Sequence, residues 1–295
     1  MRVFVTGATG FIGSRVVSEL IGAGHQVLGL TRSDEGAKSL AAAGADVQRG
    51  DLRDIESLRS AAAASDAVIH TAFQHDWSRF AESCELDKRA IETIGAVLEG
   101  SDGHFIVSSG LGVAEGRPST EDDPPFPTSQ QLPRASEATA VALMERGVSA
   151  SVMRLPQVHD TVKQGLITRL VGIAREKGVS AYVGEGENRW AAAHVLDVAH
   201  LYRLALERGN AGARYHAVAE EGVSLKDIAT ALGRGLNVPV ISIPPEKAQE
   251  HFGFFGFFAG RSLPASSEKT RRELGWSPTG PTLLTDLGNM DYSQI

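Results

Sequence analysis

Three glycines at intervals of three residues, in TGATGFIG (Thr6–Gly13), constrain this chain more than any other feature of its 295 residues. A short β-rich run, RVFVTG, precedes them. The segment that follows, FIGSRVVSELIGAG, has helical spacing, with Ile12, Val16, Leu20 and Ile21 on one face and Gly22 and Gly24 closing it. A strand that turns into a helix this abruptly needs a residue without a side chain at the turn (Gly7). It needs a second where backbone must approach a ligand (Gly10) and a third where helix packs on strand (Gly13). The first amides of the helix then have no partner within it and favour a phosphate. With Thr9, Phe11 and Ile12 completing the loop, the segment reads as the diphosphate cradle of a dinucleotide.

The pattern continues. HQVLGLTR, ADVQRGD, DAVIHTA, HFIVSSG and VSASVMRLP read as strands, and the segments between them carry helical periodicity. This order predicts an α/β fold, a Rossmann-type doubly wound parallel sheet with helices on both faces. Residues 114–133 are rich in proline, acidic and small polar residues and read as a long functional loop. After residue 156 the alternation loosens. The expected division is a dinucleotide-binding domain over 1–156, to which 191–211 returns, and a smaller C-terminal substrate lobe made of 157–190 and 212–295.

Composition narrows the function. Hydrophobic residues make up 42 % of the chain, enough for a sizeable core, and the net charge of −7 argues against a nucleic-acid partner. The single cysteine, Cys84, permits neither a disulfide framework nor a cysteine zinc site within one chain. No H-x-x-x-H pairing and no G-x-S-x-G elbow is present, so neither a histidine metal site nor a serine-triad enzyme is expected. With no apolar run of about 18 residues and no signal-like start, the expectation is a cytoplasmic protein without membrane spans.

Several ordered segments carry a resemblance that spans almost the whole chain: TGATGFIG, GDLRD (Gly50–Asp54), VIHTA (Val68–Ala72), FIVSSG (Phe105–Gly110), SVMRLPQVHD (Ser151–Asp160), AAHVLDVAHLYRLAL (Ala192–Leu206) and SSEKTRRELGWSP (Ser266–Pro278). The chain resembles the extended and atypical short-chain dehydrogenase/reductases, the epimerase/dehydratase-like family. That resemblance implies that Asp51 and Leu52 contact adenine and that Thr71, Ala72 and Phe73 line the passage to the nicotinamide. It is also compatible with a homodimer paired through helices near 78–100 and 134–147. Strand two ends in LTRSD, where an aspartate would hydrogen-bond a ribose 2′-hydroxyl. Arg32 and Ser33 stand there instead, and the planar donors of arginine suit a 2′-phosphate, so NADP(H) is preferred over NAD(H).

In the resembled families a tyrosine exchanges the proton at the reacting oxygen. A lysine four residues later lowers its pKa and holds the ribose, and a serine or threonine after strand five polarises the same oxygen. The chain departs from this pattern at every member. Its tyrosines are Tyr182, Tyr202, Tyr215 and Tyr292, and none has lysine four residues on. Alignment on ASEATA puts Pro133 and Glu137 in the two places. A shift of three residues puts Gln130 and Arg134 there, the register preferred because a basic residue then replaces the lysine. Gly110 takes the usual Ser/Thr position, after Ser108 and Ser109, and Asp87 stands where a structural asparagine is common.

Replacement chemistry is sought among the remaining polar residues. Ser108 remains a candidate for polarising the reacting oxygen. Arg134 would hold ribose or an oxyanion but cannot act as a general acid, because its pKa lies above about 12. A histidine titrating near neutrality would serve as the acid. His75, beside Asp76 past strand four, is the first candidate, and His159, beside Asp160 past strand six, the second. His70 reads as core, and His194 as a structural residue packing with Asp197. Tyr182 is a further donor, with Arg189 as an anion-binding group. HFGFFGFFAG (His251–Gly260) reads equally as an apolar lid or as a buried hydrophobic helix. The sequence thus predicts an NADP(H)-dependent oxidoreductase moving hydride to or from a small apolar carbonyl or conjugated alkene. A non-catalytic NADP(H)-binding sensor is the alternative, and a nucleotide-sugar epimerase or dehydratase ranks third.

Overall fold

The computed structural model describes residues 1–130 and 132–294. Its first half alternates strictly: β1 (Arg2–Thr6), α1 (Phe11–Gly22), β2 (Gln26–Thr31), α2 (Asp34–Ala42), β3 (Asp46–Arg49), α3 (Ile55–Ala63), β4 (Ala67–His70), α4 (Phe80–Leu98), β5 (His104–Gly110), α5 (Ser136–Glu145) and β6 (Ala150–Leu155). The second half continues with β7 (Gln157–His159), α6 (Ile167–Lys177), β8 (Ser180–Val183), β9 (Arg189–His194), α7 (Val195–Arg208), β10 (Arg214–His216), β11 (Glu220–Ser224), α8 (Leu225–Leu236) and β12 (Val240–Ile243). Four short helices follow: α9 (Ala248–Phe252), α10 (Gly256–Ala259), α11 (Glu268–Leu274) and α12 (Leu283–Asn289).

Seven strands form one sheet in the order β10-β6-β5-β4-β1-β2-β3, every neighbouring pair parallel. Parallel strands buried on both faces need apolar residues at every position, not at alternate ones. Val3, Phe4 and Val5 of β1 meet this, since all three are fully buried, Val3 and Val5 toward one face and Phe4 toward the other. Residues of α1, α2 and α7 pack on the first face and residues of α3, α4 and α5 on the second. This is the doubly wound Rossmann sheet that the periodicity predicts.

A smaller lobe sits on the chain's second half. There β11, β9 and β7 make a three-stranded mixed sheet, and β12 pairs with β8. One core unites Trp190 of β9, Ile228 of α8, Phe252 and Phe255 of the phenylalanine segment and Leu283 of α12. The expected division differs in more than one place: residues 191–194, expected in the dinucleotide domain, lie in β9 of the three-stranded sheet. β10, inside the stretch assigned to the lobe, is the seventh strand of the main sheet, and Leu274 and Trp276 also pack against the main core. Three-residue strands give too short a pattern to read from sequence, which is why β10 was missed.

The long loop 114–133 is pinned by a buried arginine. Arg154, at the end of β6, is fully buried and donates to both Glu137 carboxylate oxygens at 2.9 and 2.7 Å. It also donates to the loop carbonyls of Asp123 (2.8 Å) and Thr120 (3.4 Å) and to His216 Nε2 (3.2 Å). Arg214 adds a second cation to Glu137 at 2.7 Å. From the loop's other side, the buried Glu121 carboxylate accepts from the Thr270 amide and hydroxyl.

These groups make the fold sensitive to acid. His216 Nδ1 donates to the Ser266 carbonyl, so its Nε2 is left to accept from Arg154. Burial, with the Arg154 charge, lowers its pKa below the ordinary 6.5 despite opposing carboxylates. The unfolded chain therefore binds this proton at higher pH than the folded one, and stability falls as pH drops below about 6.5. Unfolding free energy measured in denaturant should accordingly decrease between pH 7 and pH 5, and a flat profile would contradict this. In the same assay Glu137→Ala should cost about 3–5 kcal/mol, because it leaves a buried guanidinium without its anion. A cost near zero would remove Arg154 as the loop's anchor.

Candidate active site

A cleft of about 1350 Å³ runs between the carboxyl ends of the main strands and the lobe. Its floor begins at the glycine loop. Gly7 has φ +68°, and a Cβ there would lie 2.7 Å from the Ala72 amide nitrogen. At Gly13 a Cβ would lie 2.0 Å from the Gly7 carbonyl oxygen. Both positions therefore require glycine, which brings the start of α1 hard against the turn. α2 and α3 are capped by the side chains of Ser33 and Asp54, but α1 begins at Gly10 with no side-chain cap. Its first amides, at Phe11, Ile12 and Gly13, thus face the cleft with their donors open.

The rest of this end follows from the strand termini. Thr9, Gly10, Arg32, Ser33, Asp51, Leu52, Thr71, Ala72 and Phe73 all line the cleft. Ser33 caps α2 by accepting from the Gly36 amide at 3.0 Å. The neighbouring Asp34 carboxylate is held by Arg49 at 2.5 Å, while the Arg32 guanidinium is exposed. Asp51 accepts the Arg53 amide at 2.6 Å, and the Arg53 guanidinium donates to Gln74 at 3.2 Å. A hydroxyl-capped helix start and an exposed arginine at the end of β2, with an uncapped helix at the glycine turn, fit the three places where a dinucleotide carries phosphate or ribose.

Midway along the cleft a buried polar chain ends in Arg134. Asp87 of α4 is 1 % exposed. Its Oδ1 accepts from His70 Nε2 at 3.1 Å and its Oδ2 from the Ser136 hydroxyl at 2.6 Å. Ser136 Oγ in turn accepts from Arg134 Nε at 2.9 Å, and Arg134 Nη2 donates to the Ser108 carbonyl at 3.3 Å. Burial pushes the Asp87 carboxyl up, but His70, Arg134 and Ser136 outweigh it and the net direction is down, so Asp87 is an anion. The Arg134 guanidinium also lies over the Phe73 ring, 4.4 Å from its centroid. It is therefore a fixed cation on the cleft wall.

Residues 3–219 match a known family model, the NAD dependent epimerase/dehydratase family. The chain belongs to that family. It is 47 % identical to an uncharacterized protein of Schizosaccharomyces pombe over 99 % of this chain and 100 % of the other. It is also 27 % identical to a 4-hydroxy-2-methyl-3-oxo-4-farnesyl-3,4-dihydroquinoline-1-oxide ketoreductase of Stigmatella aurantiaca, over 94 % of this chain and 92 % of that one. Among solved structures, a dTDP-glucose 4,6-dehydratase from Streptomyces venezuelae with NAD bound superposes with a TM-score of 0.76, at 22 % identity, over 100 % and 97 % of the two chains.

Within this epimerase/dehydratase fold the expected proton carriers disperse. His159 does not reach the cleft. It is fully buried, its Nδ1 2.7 Å from Asp286 Oδ2, because β7 leaves the main sheet to pair with β9 and turns the ring into the lobe. Tyr182 and Arg189 also lie off the cleft wall. Tyr182 belongs to the β8–β12 pair with Lys226 over its ring, and Arg189 donates to the Gly222 carbonyl. Ser108 reaches the wall, but its hydroxyl donates to the His70 carbonyl and meets the Tyr202 hydroxyl, each at 2.6 Å, so it is already engaged. No tyrosine lines the cleft among the described residues. Of the two alignment registers, Glu137 is committed to Arg154 and Arg214, Gln130 is exposed on the loop, and Arg134 faces the cleft.

His75 does line the cleft, between Phe73 (5.0 Å) and Trp77 (5.8 Å). Solvent reaches one side of the ring, yet the crowding of atoms around it is the main cause that pushes its pKa down to about 4. The charges of Arg134 and Lys163 add to this, and a backbone hydrogen bond at Phe73 and the Asp87 charge oppose it. A pKa lowered this far favours the neutral ring near pH 7 and makes His75 a weaker candidate for the acid. Sequence reasoning also missed the His70–Asp87–Ser136 chain and the cleft-facing Arg53, Lys163 and Arg169. Arg53 alone had a signal, its place in GDLRD. An NMR titration of the free protein should show the His75 ring protons shifting with a midpoint near 4, and Arg134→Met should raise that midpoint. A wild-type midpoint near 6.5 would contradict this electrostatic environment.

Proposed function

We propose that the protein is an NADP(H)-dependent oxidoreductase that reduces or forms a carbonyl or conjugated alkene, with Arg134 meeting the charge that develops on oxygen. The observation carrying this reading is a cation fixed by Ser136 and Ser108 on a cleft wall that has no tyrosine. The coenzyme, when bound, supplies or accepts hydride at nicotinamide C4. Gly7, Gly10 and Gly13 with the first amides of α1 would hold its diphosphate, Asp51 and Leu52 its adenine, and Arg32 with Ser33 its 2′-phosphate. The Asp34–Arg49 pair supports the NADP(H) preference, since it neutralises a carboxylate two positions from Arg32.

Arg134 differs from a tyrosine–lysine pair in what it offers. It donates hydrogen bonds and keeps its charge, so it stabilises an oxyanion without delivering a proton. The oxygen, or the carbon of an alkene, then takes its proton from water. His75, neutral near pH 7, acts as a hydrogen-bonding wall of the site. Trp77 and Phe80 pack against Phe254, and Phe255 against Trp77, so the phenylalanine segment roofs the substrate end with apolar surface. A relative named a ketoreductase is consistent with this reading. An epimerase mechanism relying on a tyrosine finds no such residue on the wall.

The test follows NADPH absorbance with a panel of ketones, aldehydes and enones. Wild-type protein should turn over at least one class, and Arg134→Met should lower kcat by about 10²–10³-fold, the range for loss of an oxyanion donor. NADPH binding without turnover across the panel would favour the sensor instead. Arg32→Asp should weaken NADPH more than NADH, and equal losses would reject Arg32 as the phosphate ligand.

A further inference from the structure

The lobe side of the cleft carries a charge pattern that the coenzyme does not use. Five cationic side chains line the cleft (Arg32, Arg53, Arg134, Lys163 and Arg169) against two carboxylates, Asp51 and Glu137. Glu137 is already held by Arg154 and Arg214, which leaves Asp51, at the adenine end, as the free carboxylate of the lining, while Asp87 behind the wall balances Arg134. This imbalance occurs on a chain whose net charge is −7. Arg32 and the α1 amides account for the phosphates of a dinucleotide. Lys163 and Arg169, carried by the segment after β7, are then surplus cations, and neither side chain has an ion pair among the described residues.

Their placement is built into the local fold. Asp160 Oδ1 accepts the amides of Val162 and Lys163 at 2.7 and 2.8 Å, which fixes the turn carrying Lys163. The Lys163 charge is near enough to His75 to lower its pKa, so it acts at the substrate end. Gly165, Leu166, Thr168, Arg169 and Gly172 line the cleft from the same segment, one face of the start of α6. The first turn of α6 holds no acidic residue, and Leu166 provides no side-chain cap. A cation in the first turn of a helix opposes the helix dipole, a cost that an anion bound beside it removes.

Much of the lobe's share of the lining is apolar, beside Gln157 and Thr168. Leu166, Trp190, Phe255, Phe258 and Leu263 line the same region, and the indole N–H of Trp190 is taken by the Arg261 carbonyl. Sugar hydroxyls would need donors and acceptors where this wall presents rings and methyl groups. Resting on the oxidoreductase reading above, we infer that the substrate is an apolar oxo or enoyl compound carrying a carboxylate, which Lys163 and Arg169 hold while Arg134 faces the reacting oxygen. The charge selects the substrate and orients its apolar body under the phenylalanine roof.

The experiment titrates octanoate and octanamide into the full-length protein, with and without saturating NADP⁺, by calorimetry. The acid should bind about tenfold or more tightly than the amide, the effect of a charge-assisted pair on a carboxylate. Lys163→Ala and Arg169→Ala should each remove most of that preference while leaving octanamide affinity unchanged, which general damage to the lobe would not do. Lys177→Ala, at the far end of α6, should leave both affinities as in wild type. Equal binding of acid and amide, or a preference surviving in both cleft variants, overturns the inference. So does UDP-glucose binding that depends on Lys163 and Arg169 without any acid preference, which would assign these cations to a diphosphate. The NADP⁺ titration is a separate arm. If it shows no binding, the oxidoreductase reading fails, while the acid–amide comparison on the coenzyme-free protein still decides the carboxylate site.

Discussion

A carboxylate shielded from water organises the middle of this protein. Leaving Asp87 charged and buried is tolerable only because His70, Ser136 and, beyond it, Arg134 surround it with donors and positive charge. That requirement ties β4, α4 and the start of α5 to one geometry. It also fixes the direction in which Arg134 leaves the chain, toward the carbonyl at the end of β5 and the open cleft. An asparagine at position 87 would offer one acceptor and one donor where the structure uses two acceptors, and it would supply no counter-charge. The acid and the arginine therefore belong together, as opposite charges joined through the Ser136 hydroxyl.

This coupling shapes what chemistry the cleft supports. A tyrosine–lysine site moves a proton; a guanidinium held by neutral and anionic acceptors presents a permanent charge. The same permanence reaches His75, whose ring is crowded by Phe73 and Trp77 and held neutral partly by its basic neighbours. A cation held in this way favours negative charge placed beside it. The apolar roof from the lobe limits how much water competes with Arg134 for that charge.

The sheet and the cradle were legible because both rest on local pattern. Strand, glycine turn and helix occupy consecutive residues, and the burial of Val3, Phe4 and Val5 on opposite faces leaves an uninterrupted apolar run in the sequence. The site's centre was not legible in the same way. His70, Asp87 and Ser136 are separated by 17 and 49 positions, and only the packing of α4 against β4 and α5 brings them together. His159 and Tyr182 failed for a related reason. Position past a main strand does not fix where a side chain points once the chain enters a second sheet: β7 lines the cleft through Gln157 and Val158 but turns His159 away from it, and Tyr182 of β8 lies in the pair with β12. Lys163 and Arg169 stand in no motif, and only the fold brings them to the cleft lining.

The account rests on a pyridine dinucleotide occupying this cleft, and calorimetric titration of NADPH, NADP⁺, NADH and NAD⁺ into the full chain tests that most directly. One coenzyme per chain should bind, the phosphorylated pair more tightly than the other. An absence of binding heat with all four, confirmed by an unchanged melting temperature, would contradict it.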